Sequence, residues 1–131
     1  MLVDDDSVAA QMYAVGLEAG GFRVSVMGEP AALFEALERE LPDVLVLEYR
    51  LPGTSGADVL DLLRKNARTA QLRVFILSNF LGDQDGAVDR VFAAGALAWL
   101  RKPLTPPNVL IRRLQQAIGP SHYGRRTEDR S

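Results

Sequence analysis

Apolar residues fall along this chain in two alternating rhythms. One consists of short runs without polar interruption: Leu2-Val3, Phe22 to Val26, Val44 to Leu47, Val74 to Leu77 and Leu97 to Leu100. Uninterrupted apolar runs suit strands covered on both faces, as in a parallel sheet. The other rhythm is helical. Val8, Met12, Val15 and Ala19 recur at helical spacing, which predicts a helix over residues 7–19, stopped by Gly20-Gly21. Pro30 suits the first turn of a second helix carrying Leu33, Leu37 and Leu41 on one stripe, and Pro42 cannot continue it. A third is predicted over residues 57–66 with Val59, Leu62 and Leu63 inward. A fourth is capped by Asp83 or Asp85, carries Val88, Val91 and Phe92, and ends at Gly95. Pro106-Pro107 opens a fifth with Leu110, Ile111, Leu114 and Ile118.

Five βα units in succession imply right-handed crossovers and a three-layer α/β fold of flavodoxin-like type, with a five-stranded parallel sheet of order 2-1-3-4-5. The chain divides into one domain over residues 1–118 and a polar stretch, 119–131, without apolar periodicity, read as a disordered tail or the start of a linker.

Composition narrows the chemistry. At 131 residues and 47% hydrophobic content the chain can bury one core. Its net charge of −2 leaves no electrostatic footprint for nucleic acid, so direct nucleic-acid binding by this domain is not expected. The absence of cysteine excludes disulfides, thiolate metal sites and a Cys nucleophile. The one histidine, His122, lies in the polar tail, so a Ser-His-Asp triad has no usable member in the folded part. No apolar run approaches the roughly 18 residues of a membrane span and no signal-peptide pattern opens the chain, which predicts a cytoplasmic protein without membrane contact.

In such a fold the chemistry belongs at the carboxyl ends of the strands, beside the switch point between the first and third. Those ends carry Asp4-Asp5-Asp6, Glu48, Ser78-Asn79 and Lys102-Pro103. Two carboxylates at about 4 Å repel by roughly 4 kcal/mol at an effective dielectric near 20. Either one takes up a proton or a cation joins them. A hard ion such as Mg²⁺ accepts carboxylate, carbonyl and water oxygens, while an ammonium and a hydroxyl can hold phosphoryl oxygens. These are the parts a phosphoryl transfer needs.

In that order and spacing the motifs resemble the receiver domain (CheY-like) of bacterial two-component response regulators, from about residue 2 to residue 118. Leu2-Val3-Asp4-Asp5-Asp6 resembles the first-strand acidic motif. Leu47 to Gly56, with Leu51-Pro52-Gly53 and the later Gly56, resembles the phosphoacceptor loop. Ile76-Leu77-Ser78 resembles the fourth-strand Ser/Thr motif, and Ala94-Gly95-Ala96 with Trp99-Leu100-Arg101-Lys102-Pro103 resembles the Gly-Ala and Lys-Pro signatures. The resemblance implies Asp4 and Asp5 as metal-site acids, Asp5 the more direct ligand, with Glu48 and the backbone carbonyl of Arg50 completing a Mg²⁺ site. It implies Ser78 as the switch hydroxyl, Lys102 as the phosphoryl-binding ammonium, Trp99 as the switch aromatic and a cis Lys102–Pro103 bond.

The pattern breaks at its centre. The phosphoacceptor position, ordinarily Asp, is Glu48. Glutamate is longer by one carbon–carbon bond, about 1.5 Å, and such an offset in an in-line attack can cost about a hundredfold. Two consequences compete: Glu48 imitates the phosphorylated state in part, or it only disables acceptance. Asn79 is a second departure, larger than the residue usual after the switch hydroxyl. The implied function is phosphorelay signalling by a degenerate receiver that is not an enzyme and acts through protein–protein contacts. The implied partners are a sensor histidine kinase, another regulator or an output domain. A homodimer through the face of the fourth helix, fifth strand and fifth helix is also implied, with Arg90 and Arg101 on it beside Arg112 and Arg113. The rivals are a receiver phosphorylated on Glu48 or a neighbouring acid, and a small α/β phosphatase or flavin-binding protein, against which no Gly-rich phosphate loop follows the first strand.

Overall fold

A computed structural model describes residues 1–82 and 86–119. Its main sheet has five parallel strands in the order β2-β1-β3-β6-β7, formed by β1 (Leu2–Val3), β2 (Val26–Met27), β3 (Leu45–Leu47), β6 (Val74–Ser78) and β7 (Ala98–Arg101). This is the predicted 2-1-3-4-5 arrangement. The fourth and fifth strands in chain order, β4 (Arg50–Leu51) and β5 (Thr54–Ser55), pair antiparallel in a separate hairpin. The predicted pattern lacks this hairpin, because two-residue strands are too short for a periodicity.

Among the described residues five α-helices cover the sheet: α1 (Ser7–Ala19), α2 (Pro30–Arg39), α3 (Gly56–Lys65), α4 (Ala87–Ala93) and α5 (Pro107–Ile118). Local chemistry sets their ends. The Asp6 carboxylate caps α1 by accepting the N–H groups of Val8 and Ala9, both at 3.1 Å. Ser55 caps α3 through the N–H of Asp58. Pro30 and Pro107 stand at the first helical positions of α2 and α5, where a missing N–H costs nothing. Alternate strand residues feed two cores. Val3, Leu45, Leu47 and Ile76 face α2, α3 and α4, while Leu2, Val46, Phe75 and Leu77 face α1 and α5.

Several expectations need correction. In α1 the predicted stripe faces outward: Val8, Met12 and Val15 are 80%, 49% and 58% exposed, and Ala10, Tyr13, Ala14 and Leu17 are buried instead. Both stripes are apolar at helical spacing, and only the position of the sheet selects between them. Leu62, Phe92 and Leu41 are likewise exposed, with Leu60 buried beside Val59 and Leu63 in α3. The second strand, Val26–Met27, overlaps only the end of the Phe22–Val26 run, because it forms only where β1 supplies a partner. The fifth begins at Ala98, leaving Leu97 exposed.

Among the described residues no peptide bond is cis, so the Lys102–Pro103 bond is trans. It leads into a 3-10 turn over Lys102–Leu104, closed by the Thr105 N–H on the Lys102 carbonyl. The expected caps Asp83 and Asp85 lie outside the described residues, and α4 opens after Gly86. From residue 120 onward the expected tail, with His122, is also outside them.

Candidate functional site

The parallel ladder places the strand ends side by side. Val3 and Leu47 are register partners, and the N–H of Glu48 bonds the Val3 carbonyl at 2.9 Å, so residues 4 and 48 leave the sheet together. Ser78 ends β6 opposite Arg101 of β7, and Lys102 follows at once. From there the Lys102 ammonium reaches back to Asp4 Oδ2 at 2.7 Å and Glu48 Oε1 at 3.1 Å. All three side chains are buried, at 9%, 2% and 8% exposure.

One cation between two carboxylates leaves a buried charge excess of −1. Backbone donors meet it: Asp4 Oδ1 accepts the N–H of Asp6 at 3.0 Å, and Glu48 Oε2 accepts those of Tyr49 and Arg50. Burial alone lowers the pKa of Lys102, but the hydrogen bonds to Asp4 and Glu48 outweigh it and hold the ammonium above the ordinary lysine value.

An aromatic cluster closes beside this centre. Tyr49 stacks on Phe80 with centroids 5.3 Å apart and meets Trp99 at 4.9 Å. The Trp99 indole N–H donates to the Phe80 carbonyl at 3.1 Å, and the Phe80 N–H donates to Ser78 Oγ at 3.1 Å. The Arg50 guanidinium lies 4.0 Å over the Phe80 ring. The segments after β3 and β6 are thereby tied to β7 at the strand ends. Tyr49 and Phe80 went unremarked in the sequence, although each stands within two residues of a predicted site residue.

The described geometry can be set against known proteins. The family model of the response regulator receiver domain matches residues 1–115. This chain is a response regulator receiver domain. It is similar to "Probable transcriptional regulatory protein TcrX" of Mycobacterium tuberculosis, 32% identical over 114 residues that cover 86% of this chain and 46% of that protein. It is also similar to the phosphate regulon transcriptional regulatory protein PhoB of Rhizobium meliloti, 32% identical over 113 residues, 85% of this chain and 48% of that one. The receiver thus spans about half the length of these curated relatives. Among solved structures, a response regulator receiver domain protein from Clostridium thermocellum matches with a TM-score of 0.75 at 28% identity, covering 89% of this chain and 90% of that one. Receiver domains are signalling modules that typically bind Mg²⁺ at the phosphorylation site and interact with histidine kinases and output domains.

In this receiver the predicted residues divide into four groups. Asp4, Glu48 and Lys102 converge, and Ser78, Trp99 and Arg50 join the neighbouring aromatic cluster. Asp5, Asn79 and Arg101 are exposed. Arg90 turns along its own fold: its guanidinium bonds Asp58 and Asp61 of α3, both at 2.6 Å, which fastens α4 to α3. For Mg²⁺ the donors are the right type, hard carboxylate and carbonyl oxygens. Their arrangement does not fit: Asp4 and Glu48 are turned to Lys102, and Asp5 stands in solvent.

Proposed function

We propose that this receiver works by protein–protein interaction and does not accept a phosphoryl group at residue 48. The observation that carries the reading is the state of the Glu48 carboxylate. One oxygen is held by Lys102 and the other by two backbone N–H groups, so the group that should attack a phosphoryl donor is already engaged by three donors. Its nucleophilic lone pairs are lowered in energy by those bonds, and Lys102, which would otherwise steady phosphoryl oxygens, is bound to two carboxylates. The charge of the centre is met from within, by one ammonium and three backbone N–H groups. Mg²⁺ therefore carries no step in this reading.

The domain is read as cytoplasmic; among the described residues no helix is long and apolar enough to cross a membrane. Its partners are a sensor histidine kinase, another regulator or an output domain. The double length of relatives named as transcriptional regulators supports the last of these. Homodimerisation is assigned to the face of α4, β7 and α5, where Arg101, Arg112 and Arg113 are exposed and Arg90 is engaged internally.

Intact mass after incubation with acetyl phosphate and Mg²⁺ tests the central claim. The wild type gains no phosphate, whereas Glu48→Asp, which restores the shorter carboxylate, does. A phosphate mass on the wild type that Glu48→Gln abolishes would overturn the reading.

A further inference from the structure

We propose that Tyr13 is a positioning residue for Lys102, acting from α1 through the turn that carries the lysine. The inference rests on the reading of Asp4, Glu48 and Lys102 as the functional centre. Tyr13 faces the sheet from the middle of α1 and is 1% exposed. A buried phenol needs a hydrogen-bond partner, and this one donates to the Thr105 carbonyl at 2.7 Å, with the Lys102 carbonyl 3.4 Å away. Both acceptors belong to the turn after β7.

That turn has few other anchors. Pro103 and Pro106 have no N–H to give, and Pro103 and Leu104 are exposed, Leu104 at 67%. Within the turn, Thr105 bonds back to Arg101 through its hydroxyl at 2.7 Å and to Lys102 through its N–H at 3.1 Å, so residues 101–105 form one unit. Tyr13 fastens this unit to α1. One turn further along α1, a Cβ added at Gly16 would clash with the Pro107 side chain, so α1 and the start of α5 pack tightly there. The phenol is thus held against the turn beside a tight helix–helix contact. Burial raises its pKa, which keeps it a donor at neutral pH. The ammonium must sit within hydrogen-bond reach of two carboxylates at once, at 2.7 and 3.1 Å, and a small displacement of its backbone breaks one of them.

The sequence supplies an internal control, because its lysines are Lys65 and Lys102 and Lys65 is exposed at the end of α3. Brief acetylation with acetic anhydride at pH 8, well below the unfolding temperature, is read at both lysines by peptide mass spectrometry. In the wild type Lys102 reacts far more slowly than Lys65. Tyr13→Phe removes one hydrogen bond, whose usual net worth corresponds to about threefold to tenfold in a local opening equilibrium. The Lys102-to-Lys65 ratio therefore rises by about that factor while the circular dichroism spectrum is unchanged. Leu114→Ala, a core truncation in α5, lowers Tm without moving the ratio. A ratio unchanged in Tyr13→Phe, or moved equally by Leu114→Ala, overturns the positioning role. Wild-type Lys102 reacting as fast as Lys65 overturns instead the ion-paired centre on which it rests.

Discussion

Replacing Lys102 by Met keeps a side chain of similar length and removes the charge that joins Asp4 to Glu48. At 2.7 and 3.1 Å the two attractions are about 6 and 5 kcal/mol at an effective dielectric near 20. Most of that is offset in the wild type by desolvation of the three groups. The measurable quantity is the cost of leaving buried carboxylates without their partner, about 3–5 kcal/mol. Burial of the methionine returns roughly 1 kcal/mol, leaving an expected loss of about 2–4 kcal/mol at pH 8. With a urea slope of about 1–3 kcal/mol/M, the midpoint falls by roughly 0.7–4 M.

Urea titration at pH 8 checks this, and a deficit under about 1 kcal/mol would refute the picture of a buried, ammonium-bridged carboxylate pair.

Two further outcomes follow from the same geometry. Gly82 has φ +75°, and a Cβ there would lie 2.6 Å from Val88 and 2.7 Å from Trp99. Gly82→Ala should therefore cost about 1–3 kcal/mol and shift the emission of the single tryptophan, and unchanged fluorescence would show that Trp99 does not pack on this turn. Tyr13, through burial first, and Lys102, where bonds to Asp4 and Glu48 outweigh burial, both hold their protons above the ordinary values. Each loses its proton sooner in the unfolded chain, so their contribution to stability is level through neutral pH and declines as pH rises past about 10. Thermal unfolding from pH 6 to pH 11 checks this, and a stability that climbs above pH 10 would contradict it.

Much of the architecture was legible in the chain itself. A parallel sheet with helices on both faces demands strands without a polar side, and Val44 to Leu47 and Val74 to Leu77 have none. Prolines and glycines marked helix boundaries because their backbone chemistry acts locally. The order of acids, hydroxyl and lysine along the strand ends was also readable, since parallel topology sends every strand end to one edge.

What remained undecided were choices between neighbours of equal local merit. Periodicity cannot prefer Ala10-Tyr13-Ala14-Leu17 over Val8-Met12-Val15 in α1, because both stripes are apolar and only the sheet beneath breaks the tie. The run Asp4-Asp5-Asp6 offers three similar carboxylates; the strand pleat and the helix start send Asp4 inward to Lys102, leave Asp5 in solvent and use Asp6 as a cap. Tyr49 and Phe80 come from two separate loops and Trp99 from β7, and Tyr13 meets a turn 92 positions away. Contacts of that range are products of packing. The residues dictate which groups are available at each strand end, and the folded arrangement dictates which of them touch.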